Sequence, residues 1–359
     1  MRIPEIVLAG SPYEKGLIHG RECRAQLMRS LETYRHRYYV SKKITWEDAR
    51  LIARRFSGLF TGEYARYAEE MKGIAQGGGL EFEDVLALNL RSEILYSGIA
   101  KPGEAEGECT AFSAVFPATK DGHALAGQTW DFTRAQREAS LMARVPAEGD
   151  TPAMLMLLEG GMVGGKGING AGISLTLNAL TTKKTDTGIP LHVRMRRVLE
   201  AGSLSAAYSR ATVTPIPVPV NLIITHKDGL SLCLEMDPEG VDVIQPENGV
   251  IVHTNHYIGP RMRLSHAHAG AGSTYMRFQR MRQLMYSKQS LTLQDLELFC
   301  RDHKGWPTSI CVHPEPGTPP EKLPYSGSTN QAFVTDLTLG RFRFVMGNPC
   351  EGEFEDYSL

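Results

Sequence analysis

The chain has 359 residues, 42% of them hydrophobic, and a formal net charge of −1. That length builds one large domain or two, and near-zero charge gives no electrostatic reason to expect nucleic acid or an anionic membrane surface as a partner. No apolar run approaches the roughly 18–20 residues that span a bilayer, and Met1-Arg2-Ile3-Pro4-Glu5 lacks the long apolar stretch of a signal peptide.

The six cysteines (Cys23, Cys109, Cys233, Cys300, Cys311 and Cys350) are scattered and include no CxxC pair. Neither a zinc ribbon nor a disulfide scaffold is expected, and no metal site is assigned. Reduced thiols point to a cytoplasmic setting. The end, Tyr357-Ser358-Leu359, is loosely like the Ser-Lys-Leu peroxisomal address and keeps that compartment open.

Residues 1 to about 100 read as helical. Ser11-Pro12-Tyr13-Glu14 is a capping box with proline at the first helical position. Tyr64, Tyr67, Met71 and Ile74 recur at helical spacing until Gly77-Gly78-Gly79 stops them, and a short helix follows from about Glu81 to Ile94. After Cys109 the period changes to two. Thr110 to Phe116 and Ala124 to Thr129 read as strands around an Asp121-Gly122 turn. Further strands are expected at 153–158, 173–177, 222–225, 230–236 and 250–254, then at 332–336 and 341–345; Asp228-Gly229 is a hairpin signal. Helical patterns fill about 190–210, 274–288 and 293–303. The plan is α+β.

Three constellations are expected to carry no chemistry. Gly165-Lys166-Gly167-Ile168-Asn169-Gly170 fits GxGxxG, and Gly160 to Lys166 fits GxxxxGK. A strand, not a helix, follows the first, and the second lacks Ser or Thr after its lysine. His253, His256, His266 and His268 lack the context of a metal site and read as surface or satisfied histidines. Arg194, Arg196 and Arg197 read as the solvated face of a helix.

Cys109 draws the chemistry. It stands at the start of a strand, after the polar run Gly103-Glu104-Ala105-Glu106-Gly107-Glu108, where an exposed thiol is unexpected. If the Glu108–Cys109 bond is cut, the residue carries both a thiol and its own α-amine, whose reference pKa is roughly 8. Such an amine takes the proton of its own side chain in N-terminal nucleophiles. Asp131 lies twenty-two residues on (131 − 109) and, across the hairpin, is placed to hold the new ammonium group and balance its charge. Trp130 reads as a packing residue or substrate wall.

These residues resemble the acyl-coenzyme A:isopenicillin N acyltransferase family, the self-processing cysteine group of N-terminal-nucleophile hydrolases. The likeness rests on Gly10 to Gly16 with His19-Gly20, Glu70 to Ala75, Asp84 to Asn89, Cys109-Thr110, Gly127-Gln128-Thr129-Trp130-Asp131-Phe132 and His253-Thr254-Asn255-His256. The resemblance implies a four-layer αββα sandwich with a helical N-terminal segment, forming one structural domain. It implies cleavage between Glu108 and Cys109 into an α chain, 1–108, and a β chain, 109–359, that stay together as a heterodimer. Cys109 is then the nucleophile and Asn255 supplies the oxyanion-binding amide. Asn178 is a weaker candidate for a second oxyanion or substrate-orienting amide. Small amides or acyl-thioesters are the implied substrates; no cofactor is needed, and acyl-coenzyme A enters only as a co-substrate.

Two departures matter. The best-known family member has glycine before its cysteine, where this chain has Glu108. The family's substrate arginine is missing from Ser326-Gly327-Ser328-Thr329-Asn330-Gln331, where Ser328 is a candidate binding residue. Two other readings stand beside this one: an uncleaved binding or accessory protein of the same fold, and a thiol hydrolase pairing Cys311 with His303 or His313.

Overall fold

The computed structural model describes residues 2–96, 108–182, 184, 186–265 and 272–359. Two β-sheets lie face to face. The eight-stranded sheet runs in the order Glu5–Val7, Ser140–Val145, Met154–Glu159, Lys166–Asn169, Ile173–Ala179, Val220–His226, Leu230–Asp237 and Gly240–Ile244. Its first pair is parallel and the rest antiparallel. The six-stranded sheet is antiparallel throughout, in the order Val250–His253, Glu108–Ala114, Leu125–Thr133, Gly327–Asp336, Arg341–Met346 and Glu355–Tyr357.

Helices Arg24–Lys42, Leu191–Leu199 and Leu204–Ala211 cover the outer face of the larger sheet, and Gly272–Met285 and Leu293–Cys300 cover the smaller one. The result is the four-layer αββα sandwich of the α+β class. Strand alternation makes the layers. In the strand that starts at Glu108, Phe112 and Ala114 join Met281 and Leu296 under the helices. Ala111 joins Ile223 and Cys233 between the sheets, and Ser113 Oγ meets Ser231 Oγ at 2.8 Å.

The N-terminal helices form as the pattern predicts. Ser11 Oγ accepts from the Glu14 amide and the Glu14 carboxylate accepts from the Ser11 amide, closing the capping box of helix Pro12–Glu22. Helix Ala65–Gly78 ends on Gly79 in the left-handed conformation, φ +70°. Gly77 and Gly78 belong to that helix rather than ending it. Gly16 and Gly20 face Gly73 and Gly77 so closely that a Cβ on Gly16 would lie 1.9 Å from the Glu70 carbonyl oxygen. The single helix expected over 81–94 is two, Phe82–Asn89 and Arg91–Tyr96, and that over 190–210 is also two.

Five strands escaped the sequence pattern: Glu5–Val7, Ser140–Val145, Lys166–Asn169, Gly240–Ile244 and Glu355–Tyr357. They are short or sit at sheet edges, where alternation over three to six residues leaves little signal. The glycine-rich Lys166–Asn169 segment leads into strand Ile173–Ala179, so no helix N-terminus awaits a phosphate there.

One expectation is overturned. Arg194, Arg196 and Arg197 are buried, not solvated. Arg194 donates to the carbonyls of Ala211, Val213 and Pro215. Arg196 donates to Glu200 and to the Val163 carbonyl, and Arg197 pairs with Glu63. Their side chains tie helix Leu191–Leu199 to its surroundings by charge-assisted hydrogen bonds.

Candidate active site

Cys109 is the second residue of strand Glu108–Ala114 and is buried, 2% exposed. The polar approach Gly103–Gly107 lies outside the described residues. The exposed thiol expected from sequence is therefore corrected: alternation turns the Cys109 side chain inward, opposite Trp130 on the neighbouring strand. Burial pushes the thiol up to about 11, partly offset by the Lys166 ammonium.

Three side chains converge on the backbone at Cys109. Its N–H donates to Asn255 Oδ1 at 2.8 Å. Its carbonyl accepts from Arg277 at 2.8 Å and from Asn178 Nδ2 at 3.1 Å. Arg277 also donates to Asn255 Oδ1 at 3.0 Å, and its Nε lies 3.6 Å from a Glu108 carboxylate oxygen. Ser273 Oγ donates to the other Glu108 oxygen. Two donors on Asn255 Oδ1 fix which way its amide points. The Nδ2 is thereby turned to the Ala179 carbonyl, 3.0 Å away.

Asn178 is fully buried and anchored through Oδ1 by Asn221 Nδ2 at 3.0 Å. Asp131 pairs in register with Glu108, beside the Glu108–Cys109 bond. Being one residue beyond Trp130, its carboxylate faces away from the thiol, towards the helix side. There Oδ1 accepts from Thr329 Oγ1 at 2.5 Å while Oδ2 is buried without a hydrogen-bond partner. Burial raises this carboxyl to about 8, against the opposing pull of Arg277 and Thr329.

Trp130 stacks on Phe132, centroids 5.5 Å apart, and carries the Lys166 ammonium over its ring at 4.3 Å. Burial lowers Lys166 to about 8, with the Cys109 thiol and Glu159 pulling the other way. Trp130, Lys166, Leu157, Leu177 and Gln331 line a small cavity of ≈ 20 Å³, space for about one water. Arg277 and Lys166 are the participants sequence reading missed. Arg277 sits in an ordinary helical pattern, and Lys166 in a glycine-rich run whose only sequence signal was a nucleotide motif.

Other expectations resolve differently. Ser328 is buried away from open space, with its hydroxyl bonded to Asn348 Oδ1 at 3.1 Å and receiving Arg137 at 3.3 Å. An arginine does reach this stretch, then, but from residue 137. Tyr64 and Tyr67, read from their helical spacing, bond Arg197 and Glu200. His253 and His256 are satisfied but buried rather than on the surface. His253 lies between Glu235, at 2.8 Å, and the Thr254 carbonyl; His256 meets Thr274 Oγ1 at 2.9 Å. His266 and His268 lie outside the described residues. Cys311 does come within 3.5 Å of His313, in a loop that reaches Asp131 through Val312 and Thr329.

A buried cysteine at the start of a central strand, between two facing sheets and under a cluster of amides, defines the class as an αββα sandwich built around Cys109. The family model for acyl-coenzyme A:6-aminopenicillanic acid acyl-transferase matches residues 118–316, more than half of the chain, and the chain belongs to that family. It is 28% identical over 313 residues to the acyl-coenzyme A:6-aminopenicillanic-acid-acyltransferase 40 kDa form of Emericella nidulans, covering 85% of this chain and 84% of that one. Among solved structures, it is similar to a Caenorhabditis elegans ortholog of N-acylethanolamine-hydrolyzing acid amidase: 14% identity, 64% of this chain, 93% of that chain, TM-score 0.46. It is also similar to a mutant conjugated bile acid hydrolase from Clostridium perfringens: 15% identity, 70% of this chain, 97% of that chain, TM-score 0.45. Among the described residues no helix is long and apolar enough to cross a membrane.

Proposed function

We propose that the chain is a self-processing cysteine amidohydrolase or acyltransferase of small molecules, with Cys109 as its N-terminal nucleophile after cleavage of the Glu108–Cys109 bond. The observation that carries this reading is the hydrogen-bonded cradle around the Cys109 backbone: Asn255 on its nitrogen, Arg277 and Asn178 on its carbonyl. Such a cradle fixes the backbone on both sides of the Cys109 Cα, the Glu108–Cys109 peptide through its N–H and the Cys109–Thr110 peptide through its carbonyl, which an ordinary buried cysteine does not need.

In processing, Cys109 Sγ attacks the Glu108 carbonyl carbon and the C–N bond breaks. The nitrogen keeps the electron pair and takes the thiol proton, leaving a thioester. Water then hydrolyses the thioester to give a Glu108 carboxylate and a free Cys109. Residues 1–108 become the α chain and 109–359 the β chain. A buried thiol held at about 11 needs a base. In the cleaved chain the new α-amine, with a reference pKa of roughly 8, is that base for turnover; it forms only once the Glu108–Cys109 bond has broken. Asn255 Oδ1 accepts one of its hydrogens, so that the lone pair is aimed, and Asp131 supplies the countercharge when the nitrogen is protonated.

In turnover, Sγ attacks the carbonyl of an amide or acyl-thioester and the α-amine takes the thiol proton. The oxyanion is received by Asn255 Nδ2, whose orientation its two Oδ1 donors fix. One such donor contributes roughly 3–4 kcal/mol in the transition state. The amine or thiol departs with the proton, and water or an acceptor amine then takes the acyl group from sulfur. The name of the Emericella nidulans relative supports an acyl-coenzyme A as donor; no resident cofactor enters these steps. None of the six cysteines is paired in a disulfide, which supports a reducing compartment such as the cytoplasm.

Intact mass spectrometry tests the reading. Two fragments are expected, starting at Met1 or Arg2 and at Cys109, and Cys109→Ala is expected to stay whole and turn over neither N-acyl amines nor acyl-thioesters. Cleavage of Cys109→Ala at the wild-type rate would sink it.

A further inference from the structure

On the far side of the smaller sheet, His303, Cys311, His313 and Cys350 bring one ligand atom each into a cluster within 4.8 Å. The sequence separates them over nearly fifty residues with no paired-cysteine motif, so only the fold unites them. His303 follows helix Leu293–Cys300. Cys311 and His313 stand in the loop that leads to strand Gly327–Asp336. Cys350 lies in the turn Pro349–Glu351.

The separations carry the chemistry. His303 Nε2 and His313 Nε2 are 3.2 Å apart. Cys311 Sγ and Cys350 Sγ are 3.7 Å apart. His313 Nε2 lies 3.5 Å from Cys311 Sγ and 3.4 Å from Cys350 Sγ. A tetrahedral zinc ion, with Zn–S of about 2.3 Å and Zn–N of about 2.05 Å, sets its ligand atoms about 3.3 Å (N to N), about 3.8 Å (S to S) and about 3.6 Å (N to S) apart. Four of the six edges fall within about 0.2 Å of that set, and all six lie within 4.8 Å. A disulfide would need the sulfurs near 2.05 Å.

We propose that His303, Cys311, His313 and Cys350 form a structural zinc site. Two thiolates and two imidazoles select a tetrahedral, borderline-soft ion, which is zinc rather than magnesium or calcium. Two thiolates also cancel the charge of Zn²⁺, so the half-buried site leaves no net charge uncompensated. The surroundings are those that orient ligands. Glu351 Oε1 lies 3.8 Å from His313 Nδ1. Asn348 Nδ2 faces Cys311 Sγ at 3.7 Å and the Val312 carbonyl at 2.6 Å. Four protein ligands leave no open position, so the ion binds and does no catalysis. This assigns Cys311 and its histidines a role other than that of a catalytic pair.

The site also has a structural task to do. From Arg301 to Ser326 the chain runs without helix or strand except the single turn Leu323–Tyr325, and such long irregular loops need a tie to stay compact. Between the two central ligands, Val312 exchanges hydrogen bonds with Thr329, at 2.8 Å and 3.0 Å. Thr329 in turn donates to Asp131. The ion therefore anchors the loop that positions the threonine on the candidate active-site aspartate. The inference does not depend on processing at Cys109.

Elemental analysis of the full-length protein, purified under reducing conditions from zinc-supplemented cells, is expected to give one zinc per chain. Replacement by Co²⁺ is expected to yield the intense visible bands and thiolate charge-transfer absorption of a tetrahedral S₂N₂ site. Cys350→Ser and His303→Ala should lower the metal content at least tenfold, while Cys23→Ser keeps one equivalent. Should the ligand variants fail to fold, the wild-type cobalt spectrum decides. Wild-type protein that holds no stoichiometric zinc and gives no thiolate–cobalt absorption, or a Cys311→Ser, Cys350→Ser double variant that retains full zinc, overturns the proposal.

Discussion

Asp131 keeps its proton in the intact chain to a far higher pH than a free aspartate, because burial raises it to about 8. An unfolded aspartate titrates near 4. Between about pH 4 and about pH 8 the unfolded chain therefore binds fewer protons at this residue than the folded one, and stability falls as pH rises through that window. A Cys109→Ala chain, which stays uncut in the proposed mechanism, is expected to lose denaturant resistance from about pH 5 to about pH 8. Adding Asp131→Asn should flatten that slope, and parallel slopes in both chains would remove the buried carboxyl from the account. In the proposed cleaved chain, a new ammonium group at Cys109, beside the strand pair of Glu108 and Asp131, would add a second cation to the pull that Arg277 already exerts on this carboxyl. The buried Oδ2 without a partner is the atom that would gain.

At the scale of elements, helices Pro12–Glu22 and Ala65–Gly78 meet through glycine. A Cβ on Gly73 would stand 2.1 Å from the Tyr13 carbonyl oxygen, and one on Gly20 would stand 2.2 Å from that of Ile74. Backbone cannot retreat as a side-chain tip can, so added methyl groups push the helices apart. Gly16→Ala and Gly73→Ala are each expected to cost about 2–3 kcal/mol in chemical denaturation. Gly202→Ala, where a Cβ meets nothing within 4 Å, should change stability by less than about 0.5 kcal/mol. Equal losses at all three positions would show that close helix contact is not the reason for glycine.

At the scale of the whole molecule, residues 1–108 and 109–359 are interlocked, so that a cut after Glu108 would leave the two parts together. Strand Glu5–Val7 pairs with Ser140–Val145. Arg91 bonds Glu159 at 3.1 Å, Lys15 bonds Glu148 at 2.7 Å, and Tyr67 bonds Glu200 at 2.6 Å. Asn89 both donates to the Gly161 carbonyl and accepts from the Val163 amide. One apolar cluster includes Leu27, Tyr34 and Leu88 from the first part with Leu158, Val193 and Leu199 from the second. Processed fragments are therefore expected to co-elute in size exclusion, in high salt as well as low, and to part only in denaturant. Exposed ion pairs alone would be weakened by salt; buried apolar surface is not. Separation in salt would show that the apolar cluster does not hold the parts.

Much of this was legible in the residues themselves. Ser11 to Glu14 specifies a helix start by local hydrogen bonding, and Asp228-Gly229 a hairpin, because both signals act within a few residues. The period-two pattern after Cys109 named strands that begin one residue after Cys109 and end two residues before Asp131; the fold extends both to include those residues, while Asn255 lies just beyond strand Val250–His253. Which way each side chain faces was settled only in three dimensions. Pairing of Cys109 with Trp130 turned the thiol inward and Asp131 outward. Packing of helix Gly272–Met285 on the smaller sheet brought Arg277 to Cys109, and packing of helix Leu191–Leu199 on the larger one buried Arg194, Arg196 and Arg197 among carbonyls and carboxylates that no local pattern announces. The cluster of His303, Cys311, His313 and Cys350 is the extreme case. Local sequence encodes contacts a few residues apart, whereas a ligand set drawn from a helix end, a loop and a distant turn exists only once the sheet has set their separations.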